Sequence, residues 1–142
     1  MKGATTTNAP PPRRRNHSTG SHFEATLGYS RAVQVGERLW IAGTIGYDYD
    51  TMTISDSPAG QTRQCLKNMA PVFEKLCHGL SAIVQVDVYV TRSGIAEEVL
   101  ECLQAELRDC AITVIELQLP YDPAVCVELR PFALLESRER PT

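Results

Sequence analysis

Near the end of the chain, the stretch PAVCVELRP (residues 123–131) sets Val125, Val127 and Leu129 on one side of a strand. Glu128 falls on the other side, between Cys126 and Arg130. A carboxylate in the middle of an apolar strand is a solvated face, half of an ion pair, or a group that takes and returns protons. The other reactive side chains say less. The five cysteines, at 65, 77, 102, 110 and 126, show no CxxC or histidine-pair spacing. They point to free thiols in a reducing, cytoplasmic setting and give no hint of zinc. Cys110 and Cys126 read as small buried hydrophobes rather than nucleophiles. His17, His22 and His78 lie in the N-terminal tail or at a helix end and read as exposed bystanders. With no metal or nucleotide motif, no cofactor is expected.

The elements that must position Glu128 follow from periodicity. YSRAVQV and RLWIAG are strand-like runs joined at Gly36-Glu37, the chemistry of a type II′ hairpin. A polar loop, TIGYDYDTMTISDSP, comes next. From 60 to 77, Leu66, Met69, Val72/Phe73 and Leu76 recur at helical spacing, with Pro71 expected to kink the helix or mark a restart and Gly79 to stop it. AIVQVDVYVT sets Val84, Val86, Val88 and Val90 on one face of a strand. Ser93 is the expected N-cap of a second helix, with an Ile95, Val99, Cys102/Leu103, Leu107 stripe. ITVIELQL and the 123–131 stretch are the last two strands, separated by the turn PYDP. The order ββαβαββ gives an α+β fold with one mixed sheet. Two helices cover one face, and the other is left for a partner or solvent. Glu128 belongs to that second face, so an oligomer is expected.

At 142 residues, 43% hydrophobic and 22% charged, the chain has the make-up of one soluble domain. No apolar run approaches the roughly 20 residues of a membrane span. The net charge of −3 divides unevenly: Lys2, Arg13, Arg14 and Arg15 make residues 1–22 purely basic, while the rest holds 10 basic and 17 acidic residues. An acidic body argues against nucleic-acid binding, which needs clustered cations. The organisation expected is a disordered basic tail over 1–22, one domain over 23–137, and a short C-terminal tail over 138–142.

YSRAVQVGERLWIAGTIG, QTRQCLKNMAPVFEKL, the valine strand of 84–91 and VELRPFAL occur in an order and spacing that resemble the Rid family (YjgF/YER057c/UK114), over about residues 28–135. The resemblance implies a chorismate-mutase-like fold, a homotrimer, and pockets in the clefts between subunits. It also implies hydrolysis of 2-imino or 2-enamino acids to 2-keto acids and ammonia. Carried over by position, Tyr29 lines the pocket, Gly43 offers backbone contact with Thr44 beside it, and Glu128 holds the attacking water. Tyr47 and Asp48 lie in the following loop. The family's substrate-carboxylate arginine falls at Ile112, where an isoleucine cannot supply a bidentate, charged hydrogen bond. A pocket framed by Ile112 and Cys126 should therefore prefer a small molecule without a carboxylate, unless Arg31 or Arg130 serves as a relocated clamp. Three functions follow: an acid/base enzyme for a neutral imine, enamine, enol or carbonyl; an ordinary imino-acid deaminase with a relocated arginine; or a ligand-binding trimer without chemistry.

Overall fold

The computed structural model describes residues 10, 13–118 and 121–136, so the expected C-terminal tail over 138–142 lies outside the described residues. In chain order the elements are β1 (Arg14–His17), α1 (His22–Leu27), β2 (Ala32–Val35), β3 (Arg38–Ile41), β4 (Thr44–Ile45), β5 (Tyr47–Asp48) and β6 (Thr53–Ile54). They continue with α2 (Pro58–Lys75), a 3-10 turn (Leu80–Ala82), β7 (Ile83–Val90), α3 (Ala96–Glu106), β8 (Ala111–Glu116) and β9 (Val127–Leu134). The main sheet runs β1-β2-β3-β9-β7-β8, with β4 also on β9. Among the described strands only β7 and β8 pair in parallel, as the crossover through α3 permits. All elements of the expected ββαβαββ order are present. Helices α2 and α3 share one core with the sheet through Met69, Val72, Phe73, Val99, Leu103, Val88 and Leu129.

Several local expectations are corrected. The basic tail does not stay outside the fold through residue 22, because Arg14–His17 pairs antiparallel with β2 and Ser21 caps α1. Helix α2 runs through Pro71 without a restart. It ends in a Schellman-type turn, His78 N–H to Phe73 O (2.8 Å) and Cys77 N–H to Glu74 O (2.9 Å). The left-handed residue there is Cys77 (φ 56°), and Gly79 comes too late to be the stop. Ile95, not Ser93, occupies the α3 N-cap position, and the Ser93 hydroxyl donates to Glu116 instead (2.8 Å). A register shift between Ile83 and Gln85 turns Val84 out to solvent and brings Ile83 into the core. The segment expected as a plain loop after Gly43 contains β4 and the small β5-β6 hairpin.

The hairpin at Gly36-Glu37 forms as expected, with Gly36 at φ 59° and Glu37 not left-handed. Beyond it lies the irregularity that makes the site. Trp40 faces Phe132 across β3 and β9, whereas Thr44 faces Leu129 across β4 and β9. Residues 41–43 therefore lie opposite only 130–131, a β-bulge that breaks the ladder at Ala42-Gly43. Along β9, odd-numbered Val127, Leu129, Pro131 and Ala133 are buried, while Glu128, Arg130, Phe132 and Leu134 look to the face the helices leave uncovered.

Candidate functional site

Glu128 lies against the bulge. A Cβ at Gly43 would overlap its Oε1, so glycine is what lets the carboxylate lie on the bulged backbone. Around it opens a cleft of about 790 Å³. Tyr29, Ala42, Gly43 and Ile45 form its floor with Glu128. Phe23 and Leu27 come from α1, Tyr47, Tyr49 and Met52 from the β5-β6 hairpin, and Tyr121 and Asp122 from the loop before β9. Four of the chain's five tyrosines thus meet in one place. Among the described residues, no lysine, arginine or histidine lines this cleft.

Two tyrosine–carboxylate pairs stand in it. Tyr121 donates its hydroxyl to Glu128 Oε2 (2.7 Å), and Tyr47 donates to Asp122 Oδ2 (2.5 Å). Burial, with the bond to Glu128 added, pushes the Tyr121 hydroxyl above the ordinary tyrosine range. The bond to Asp122 raises Tyr47, with burial a smaller cause. Both phenols therefore stay protonated at neutral pH and serve as donors. Polar residues of α2 hold these walls. Asn68 donates to Ile45 O (3.0 Å) and Tyr47 O (2.8 Å). The buried amide of Gln61 donates to Ser55 O and Ala124 O (both 2.8 Å) and accepts from Cys126 N–H (2.9 Å). One side chain thereby ties the Tyr121 loop to the helix.

The arginines expected as relocated clamps are both engaged elsewhere. Arg31 is 2% exposed and does not line the cleft. Its guanidinium donates to Gly43 O (3.3 Å), Thr44 Oγ1 (3.0 Å) and the Tyr29 hydroxyl (3.1 Å), and its Nε lies 3.8 Å from Glu24. It braces the floor from behind, and a swing into the cleft would strand Glu24 as a buried, unpaired charge. Arg130 binds Asp87 (2.5 Å), stacks over Tyr89 and lines a different groove with Trp40 and Phe132. Ile112, the position of the absent arginine, packs against the helix-side core of its own chain and is not among the residues that this chain sets around the cleft. Cys126 is likewise a core residue that contributes its backbone to Gln61. Thr44 is fully buried, bonding Ala42 O and Arg31. Tyr29 and Gly43 do line the cleft beside Glu128. Asp48 lies away from it, accepting from the backbone of Asp50 in its own turn. The thiols offer no nucleophile here. Burial drives Cys65 far above the usual thiol range, and Cys110 is shifted the same way.

The sequence reading missed Phe23, Leu27, Tyr49, Met52, Tyr121 and Asp122. A signal for the first two existed: Ser21-His-Phe-Glu24 is a capping box, with Ser21 Oγ accepting from Glu24 N–H and the Glu24 carboxylate accepting from Ser21 N–H. The helix it starts brings Phe23 edge-on to Tyr49 (5.9 Å).

A family model described as Endoribonuclease L-PSP matches residues 19–134, most of the chain. The chain belongs to the Rid (YjgF/YER057c/UK114) family. Among solved Rid structures, Rv2704 of Mycobacterium tuberculosis is 29% identical with a TM-score of 0.75, covering 87% of this chain and all of that one. RidA of an Antarctic Psychrobacter is 25% identical with a TM-score of 0.68, covering 75% and 88%. A RutC family protein of Aquifex aeolicus is 28% identical over 106 residues, 71% of this chain and 85% of that protein. The match to an uncharacterized protein of Streptomyces coelicolor is 25% identical over 79 residues and spans 59% of that protein's length. The sheet and helices are those of the chorismate-mutase-like Rid fold. Among the described residues, no helix is long and apolar enough to cross a membrane.

Proposed function

We propose that this Rid protein is a cytoplasmic acid/base enzyme acting on a small molecule without a carboxylate: an imine, enamine, enol or carbonyl compound. One observation carries the reading. Glu128 stands in the cleft with a hydroxyl donor on one side and the open Gly43 backbone on the other, and among the described residues of this chain no cationic side chain joins it. Glu128 is the proton acceptor and donor, Tyr29 orients the substrate, and Tyr121 positions the carboxylate. For an imine, Glu128 takes a proton from water as the water oxygen bonds to the C=N carbon, then returns a proton to nitrogen. The carbinolamine collapses as its C–N bond breaks, Glu128 taking the hydroxyl proton and passing it to the departing nitrogen, to give the carbonyl compound and free amine or ammonia. The deaminase reading loses its support because Arg31 and Arg130 are both occupied. The endoribonuclease in the family's description is not carried over to this acidic chain.

The test is to follow semicarbazone formation from 2-imino acids, made by an amino-acid oxidase, beside hydrolysis of matched imines lacking the carboxylate. Faster turnover of the carboxylate-free series is expected. Selective acceleration of the 2-imino acids would sink the reading.

A homotrimer is part of this proposal. The uncovered face presents Trp40 (46% exposed) and Leu134 (46% exposed), with Phe132 packed edge-on to Trp40 at 5.5 Å. Apolar side chains standing together on an open sheet face mark a surface that gains by being covered. Sedimentation should give three times the chain mass of 15.7 kDa. A single-chain mass at micromolar concentration rules the trimer out.

A further inference from the structure

We infer that the cleft recognises its ligand as a cation: a protonated amine or iminium carried on an apolar or aromatic body. The inference rests on the proposed site and narrows its substrate class, selecting imines, the basic members of that list, bound as their conjugate acids.

Charge is the first argument. The cleft surface carries two carboxylates, Glu128 and Asp122, and no lining cation among the described residues. Arg31, the cation behind the floor, is matched by Glu24. The balance that this chain presents to a ligand is therefore negative, and an anion entering would meet its two carboxylates in a partly dehydrated space. The second argument is the aromatic wall. Phe23 and Tyr49 pack edge-to-face, and Tyr47 and Tyr121 stand beside the two carboxylates. Ring faces attract a desolvated cation, and tyrosine-lined cages with a nearby carboxylate suit alkylated ammonium groups.

The two carboxylates have different duties in this arrangement. Glu128 lies on the bulge beside Tyr29 and Gly43, where a reacting carbon would be held. Asp122 belongs to the loop before β9 and keeps its orientation through Tyr47 and an Asx turn, with Ala124 N–H donating to its Oδ1 (2.9 Å). It is therefore the counter-ion. An iminium is also the more electrophilic form of an imine, so binding the cation favours attack by the water that Glu128 activates.

The test uses the full chain and a matched probe set: benzyltrimethylammonium, its uncharged carbon isostere neopentylbenzene, and phenylacetate, with affinity read by ligand-observed NMR. The cation should bind at least about tenfold more tightly than either other probe. Asp122→Asn keeps the turn but removes the charge. It should lower cation affinity about tenfold while leaving the neutral isostere within about twofold. Tyr47→Phe, which keeps ring and carboxylate, should preserve the cation preference. Equal binding of the isostere, tighter binding of phenylacetate, or an Asp122→Asn protein with undiminished preference would overturn the inference. Binding is read without turnover, so these outcomes leave the acid/base reading standing. Conversely, undiminished turnover in Glu128→Gln would overturn that reading alone.

Discussion

Glu128→Gln should leave the protein folded and reduce turnover of a carboxylate-free imine by about 10²–10⁴-fold, the range a positioned general acid/base contributes. The amide keeps the shape and can still accept from Tyr121, so the loop before β9 stays in place. What disappears is the capacity to take a proton from water and hand it to nitrogen. The loss should fall on kcat, with KM changed little, because the proton moves only as the transition state forms. Gly43→Ala is the companion variant. Its methyl group would occupy the space of Glu128 Oε1, and the flexible end of the glutamate would give way before the β3-β4 backbone does. Its melting temperature should stay near that of wild type while turnover falls at least about tenfold, in line with the sensitivity of catalysis to a displacement of about 1 Å. Undiminished turnover in either variant would remove Glu128 from the chemistry.

Glu24 governs stability in the same way that Glu128 governs turnover. It is 5% exposed, and burial alone would push its carboxyl up. Hydrogen bonds from Thr19, Ser21 and Ser18 outweigh burial and hold the pKa down to about 2, against an ordinary 4.5. Thr19 donates at 2.7 Å, and the backbone N–H groups of Ser21 and Arg31 add bonds of 3.2 Å each. A folded pKa below the unfolded one means that the carboxylate stabilises the fold above about pH 4.5 and ceases to as pH falls through 2. The shift corresponds to about 3 kcal/mol at neutral pH, with more than half gone by about pH 3. Glu24→Gln should therefore cost on the order of 3 kcal/mol in urea unfolding at pH 7, and clearly less at pH 3. The variant also leaves Arg31 buried without its counter-charge, which loosens the Gly43 carbonyl and Tyr29 hydroxyl that the guanidinium holds. A gap between wild type and variant that stays constant from pH 7 to pH 3 would show that the carboxylate's charge is not what matters.

The location of the missed residues explains why the site was only half legible. Strand alternation put Glu128 on the uncovered side, and the family resemblance pointed to Tyr29 and Gly43; all three line the cleft. Ile112 and Cys126 were expected at the cleft from the family resemblance alone. The parallel register of β8 on β7, Ile112 opposite Val86, puts the first on the helix-side core, and the irregular chain before β9 puts the second there. Arg31 and Arg130 stood as alternatives for a relocated clamp because ion pairs between distant residues leave no trace in local spacing. Glu24 lies 7 residues from Arg31, and Asp87 lies 43 from Arg130.

The sequence by itself determined the ββαβαββ order of the main elements, the hairpin at Gly36, the apolar faces of α2, α3 and β9, and the side of the sheet on which Glu128 lies. These follow from periods of 3.6 and 2.0, which are properties of the local backbone. Tertiary structure alone decided the rest: the one-residue slip between β3-β4 and β9, the docking of α1 over the cleft, and the meeting of Tyr47 with Asp122 across 75 residues of chain. A bulge depends on how two strands pair, and a pocket depends on which loops close over it. Both are settled by packing between segments far apart in sequence, where no local period reaches.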